Sequence, residues 1–159
     1  MTHDSALREQ LIRMLQGGLA HATFDDVIRD FPTDKIGIRP HGIPHSAWEL
    51  LEHMRIAQND ILEFSRSAEY VSPNWPQGYW PKSAAPATPG LWNESVARFR
   101  QDLVEFEALL QDPKIDLNRE FPWGDGQTVL REALLIGSHN SYHLGQLVQV
   151  RRLVGAWGK

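Results

Sequence analysis

Apolar residues return every three or four positions over four long stretches of this chain, and glycine and proline mark the breaks between them. From Asp4, the residues Leu7, Leu11, Met14 and Leu15 fall on one side of a helix that meets Gly17-Gly18, where a break is expected. A shorter helical stretch resumes through Phe24, Val27 and Ile28. Residues 31–44, with three prolines and two glycines, read as an irregular connection.

Ser46-Ala47-Trp48-Glu49 matches a capping box and opens the second long helix. At about 100° per residue, Ser46, Leu50, His53, Ala57, Asp60 and Phe64 share one face of it, with Ile56 and Ile61 flanking. Residues 70–90 hold five prolines, two tryptophans and two tyrosines, which suits an ordered aromatic loop. Thr88-Pro89 then supplies a cap and a first-turn proline for the third long helix, where Trp92, Val96, Phe99, Leu103, Phe106 and Leu110 form a seam. After a turn-rich segment, Gln127 or Thr128 caps a last helix that runs to about Val154, within the usual boundary error of about 2–4 residues.

That last helix carries two apolar stripes. Glu132, Leu135, His143, Gln146, Val150 and Leu153 lie within about 40° of His139, and Leu130, Leu134, Gly137, Ser141, Leu144 and Val148 occupy the opposite side. A monomeric bundle needs only one such face, so the second is available to another helix. No convincing β-alternation occurs. The expected fold is all-α, a four-helix bundle with long connections, formed by one domain over 1–159.

Composition narrows the chemistry. A formal charge of −4 and a pI near 5.9 provide no basic face, so nucleic acid is not an expected partner. There is no cysteine, which removes disulfides, thiolate ligands and a cysteine nucleophile. A bound metal would have to be held by His, Asp or Glu. The N-terminal residues lack the pattern of a signal peptide, and no apolar run approaches the ~18 residues of a membrane span. The expected setting is therefore soluble and cytoplasmic.

His139 and His143, four apart in SHNSYHLGQL, place two imidazoles one turn apart on the core side of the last helix. His53, in WELLEHM, has the same setting on the second long helix. Two readings remain open on spacing alone: a shared metal, or a hydrogen-bonded histidine cluster in the core. Leaving buried imidazole nitrogens unpaired costs ~1–3 kcal/mol each, so the pair needs one solution or the other.

The remaining candidates rank lower. His41 and His45 have the same spacing but sit among Pro40, Gly42 and Pro44, so they read as loop residues. Glu49 is explained by its cap. WELLEH is superficially similar to a zinc-protease helix but lacks the histidine before its glutamate and has the second at the wrong spacing, and that assignment is rejected. No phosphate-cradling glycine loop or G-x-S-x-G elbow is present. Asp60, Gln146 and, two turns from His139, Glu132 are the polar residues placed to hold imidazole tautomers, or to make ordinary buried hydrogen bonds. Trp75, Tyr79 and Trp80 either roof the pocket or, the simpler reading, pack the long loop onto the bundle. Arg131, Arg151 and Arg152 read as surface charge, with capture of an anionic cofactor as the alternative.

HSAWELLEHMRIAQNDILEF, the WPQGYWP loop, the TVLREALL helix start and SHNSYHLGQL together resemble the DinB-like superfamily, also called YfiT-like, over nearly the whole chain. The resemblance implies a four-helix bundle with a divalent metal, commonly zinc or nickel, held by His53, His139 and His143. It also implies a homodimer, which would use the second stripe of the last helix. Better understood relatives are transferases acting on small-molecule substrates through a low-molecular-weight thiol such as bacillithiol or mycothiol. Three neutral histidines leave a metal doubly positive, which acidifies a bound thiol. A hydrolase in which the metal activates water, and a non-catalytic metal-stabilised dimeric module, are the competing expectations.

Overall fold

Gly17 and Gly18 both take positive φ, 75° and 79°, and end the first helix at Gln16. The structure is a computed structural model describing residues 3–157. Residues 1, 2, 158 and 159, the ends of the expected 1–159 domain, lie outside the described residues. Among the described residues the chain forms α1 (His3–Gln16), α2 (Phe24–Ile28), α3 (Ala47–Arg66), α4 (Gly90–Gln111) and α5 (Val129–Leu153), with a 3-10 turn at Gln77–Tyr79. Four long helices and one short one make the expected all-helical bundle.

The caps explain the boundaries. Thr23 and Asp26 form a capping box at α2 that the sequence reading did not single out. At α3, Ser46 Oγ accepts from Glu49 N (3.2 Å) and the Glu49 carboxylate accepts from Ser46 N (2.8 Å), as the motif requires. Thr128 caps α5 by accepting from Arg131 N at 3.1 Å. Gln127, the other candidate, turns its side-chain oxygen to Asp125 N instead. Only α4 departs from expectation: Pro89 itself occupies the cap position, with no side-chain cap from Thr88. The ring holds Pro89 at φ −58°, already helical, so the first turn is set without one.

α3 packs against α4 and α5, while α1 lies on α4 and α5, and α2 on α5. Buried side chains form two clusters. One gathers Val27, Phe31, Leu51, Met54, Phe99 and Leu147; the other gathers Leu11, Leu62, Phe106, Leu110, Ala133 and Ile136. Between them Gln58 Nε2 donates to Phe99 O (2.7 Å) and Asn140 Nδ2 donates to Gln58 Oε1 (2.8 Å), a polar layer across the bundle.

The two stripes expected on α5 are corrected. Leu135 and Leu153, on the histidine stripe, are exposed, whereas Gly137 and Leu144, on the opposite stripe, are buried. The buried sector, with Val129, Ala133, Ile136 and Leu147 near its middle and Val150 at its edge, runs from about 20° to about 160° from His139, between the two expected stripes. The cause is that α5 is packed on both flanks, by α3 on one side and by α1 and α2 on the other. A Cβ at Gly137 would lie 2.6 Å from Met14 Cε, so the small residue admits α1 of the same chain.

Candidate metal centre

His53 projects from α3 and His139 and His143 from α5, so the packing of these two helices brings the three imidazoles together. One ring nitrogen from each lies within 4.8 Å of the others. His53 Nε2 and His139 Nε2 are 3.1 Å apart, and His143 stands edge-on to His53 with ring centroids 4.5 Å apart. His53 and His143 are buried and His139 is half-buried.

The outer nitrogens are held. His53 Nδ1 is 2.8 Å from the Tyr79 carbonyl oxygen, an acceptor only, so this nitrogen carries the proton. His143 Nδ1 is likewise 2.8 Å from Gln146 Oε1 and donates to it. Both rings therefore turn a proton-free Nε2 inward, the arrangement that metal-binding histidines share.

Gln146 thus occupies the orienting position the sequence suggested. Asp60 does not touch a histidine: its Oδ2 accepts from the Tyr79 hydroxyl at 2.7 Å, and Tyr79 in turn holds His53 through its backbone. Glu132 is corrected as an orienting residue. Two turns along α5 from His139, its carboxylate is buried and paired with Arg131 at 2.5 Å, and burial raises its pKa. That distance along the helix puts it beyond reach of the rings.

Burial also sets the charge of the cluster. It pushes the pKa of His53 and His143 down, and that of His139 down to about 4, with the neighbouring His143 and His53 adding to the shift. The Asn140 side chain opposes this shift weakly by favouring the charged His139 ring. All three rings are therefore neutral at pH 7. Three neutral nitrogen donors with two outer nitrogens already anchored suit a divalent cation, and among the described residues this is the group that could hold one.

The aromatic loop covers one side. Trp80 lies flat on His53, centroids 3.9 Å apart and planes 1° from parallel, and its other neighbour is His45 at 4.1 Å. Trp80 and Tyr79 therefore both pack the loop and contact the cluster, while Trp75 stays largely exposed and reaches Tyr79 only by its edge. His45, read from its prolines as a loop residue, is in a loop, but its ring joins this stack. Nothing in local sequence marks that role.

Two other side chains settle as structural. Glu49 adds an ion pair with Arg39 (Nε to Oε2, 2.8 Å) to its cap. Arg151 is corrected from a surface charge: it is buried, donates to the carbonyls of Ala156 (2.8 Å) and Val27, and sits over the Phe31 and Trp157 rings. Arg152 lies over Trp157.

The fold and site together define an all-helical bundle carrying a three-histidine group able to hold a metal ion. Residues 16–147 match the family model described as the DinB superfamily, and the chain belongs to that superfamily. The matched range includes His53, His139 and His143. No curated protein and no solved structure matches the chain.

Proposed function

We propose that the protein is a divalent-metal-dependent enzyme, with zinc or nickel held by His53, His139 and His143, that transfers a low-molecular-weight thiol to a small electrophilic substrate. The observation that supports this most is the pair of anchored outer nitrogens on His53 and His143, which commits both Nε2 atoms to the centre of the cluster. A cation there would supply Lewis acidity that favours the thiolate form of a bound thiol at neutral pH.

The chain's own groups position and shield. Tyr79 O and Gln146 Oε1 hold the ring tautomers, and Trp80 keeps water from one face of His53. A thiol acidified in this way would lose its proton to solvent at neutral pH and need no protein base. Asp60 and Glu132, the carboxylates expected nearest, are engaged by Tyr79 and Arg131, so in the competing hydrolase reading too the cation alone would have to acidify the nucleophile, there a water.

Metal analysis of untagged protein tests the reading. Wild type should hold about one divalent metal per chain, and His53→Ala or His143→Ala should lose it. Cobalt-substituted protein should gain a sulfur-to-metal charge-transfer band when a small thiol is added. A metal-free wild type would overturn the proposal. A cobalt spectrum indifferent to thiols, with turnover in water alone, would transfer it to hydrolysis.

A further inference from the structure

A serine inside a helix can turn its hydroxyl back to the carbonyl one turn earlier, as Ser65 does to Ile61 O at 2.7 Å. Ser141, in the middle of α5, instead reaches across to His21, in the loop between α1 and α2, with Oγ 3.2 Å from Nε2. The other ring nitrogen of His21, Nδ1, lies 2.9 Å from the Ala22 carbonyl oxygen, which can only accept, so Nδ1 carries the proton. Nε2 is then the acceptor, and the Ser141 hydroxyl donates to it. A hydroxyl donating to an imidazole whose far nitrogen is held by an acceptor has the parts of an acyl-transfer site: nucleophile, base and orienting group. The two residues are 120 positions apart, so no local motif announces them.

Both side chains are exposed, so a substrate can reach them. Both also line a cavity of about 300 Å³ whose walls are mainly apolar, with Met14, Met54, Phe99, Leu103 and Leu144. That volume is at the small end of ligand pockets and suits a short acyl chain. None of the three clustered histidines lines it, and Ser141, two residues from His139, lies about 160° around α5 from it.

We propose that Ser141 and His21 form a second reactive centre, independent of a metal at the histidines, that takes aryl esters of short apolar acids. Ser141 Oγ bonds to the carbonyl carbon, the bond from that carbon to the phenolic oxygen breaks, and the hydroxyl proton passes to His21 Nε2 and on to the departing phenolate. Water then displaces the acid from Ser141, its proton returning to Oγ through Nε2.

The test uses the whole protein, with and without a chelator. p-Nitrophenyl dimethylcarbamate reacts by the same first step but leaves an adduct that hydrolyses slowly, and tandem mass spectrometry should place it on Ser141 in equal yield under both conditions. Ser141→Ala should lose the adduct, and His21→Gln should form it roughly a hundredfold more slowly, the size of a lost general base, with circular dichroism melts verifying that both variants fold. p-Nitrophenyl butyrate should react about tenfold faster than the acetate, since two more methylenes enter the cavity. Wild type without an adduct on Ser141, an adduct that forms only when the chelator is absent, or one that His21→Gln forms as fast would overturn the centre. Equal rates for butyrate and acetate would overturn the cavity as its acyl site.

Discussion

Trp80 and His53 stack face to face, 3.9 Å between ring centroids, although 26 residues of chain and a proline-rich loop separate Tyr79 from the His53 it also binds. The loop is thus attached to the histidine cluster at two successive residues. Trp80→Ala should lower unfolding free energy by about 1–2 kcal/mol through lost aromatic packing, with Trp80→Phe recovering part of it. Urea denaturation of the three proteins measures this, and a neutral Trp80→Ala would show that the stack is incidental.

Tyr79→Phe removes the donor to Asp60 while leaving the backbone carbonyl that holds His53. The expected cost is about 1 kcal/mol of stability, since Asp60 Oδ2 loses its bond, together with roughly tenfold weaker cobalt binding as the His53 anchor loosens. Competition with a metal-sensitive dye would register the second effect. Stability lost at unchanged cobalt affinity would confine Asp60 and Tyr79 to the fold.

The depressed histidine pKa values carry a signed pH dependence. An unfolded histidine takes a proton near pH 6.5, while His139 in the folded protein resists protonation down to about 4. The folded state therefore binds fewer protons below pH 6.5, and the stability this group contributes is present above that pH and lost as pH falls toward 4. His53 and His143 shift in the same direction. Thermal melts of metal-free protein from pH 7.5 to 4 should fall more steeply for wild type than for His139→Gln. Parallel curves would contradict the assignment.

Arg151→Met should be among the more damaging single changes outside the cluster. It leaves the Val27 and Ala156 carbonyls without their charged donor, and about 2–3 kcal/mol of stability should go with it. Loss of protection at Val27 and Ile28 amides in hydrogen exchange would locate the damage in α2; a silent substitution would count against the buried guanidinium as a tie.

Much of this was readable in the chain because helices advertise their buried face and their starts. His53 falls on a 3.6-residue stripe, and Ser46 and Thr128 carry capping chemistry, so the helices and the histidine partners could be placed from local pattern. Gln146 followed from its one-turn spacing to His143. The His45–Trp80–His53 stack could not be placed, because a loop without periodicity takes its position from what it lands on. The stripes of α5 were misassigned for a related reason: periodicity reports that a face is apolar, but the wedge between α1 and α3 decides which sector is enclosed. Arg151 looked exposed because its partners are main-chain carbonyls, one of them 124 residues away.

The polar layer of Gln58 and Asn140 has a consequence for the bundle itself. Sliding α5 by one turn along α3 would set these amides against aliphatic neighbours and break the Gln58–Asn140 bond, while the Gln58–Phe99 bond fixes Gln58 against α4, so the layer acts as a ruler that admits a single alignment of the helices. The histidines sit beside this ruler, at the height it measures. Their convergence is then inherited from the alignment of the helices, and a chain that changed its chemistry would still be held to the same spacing.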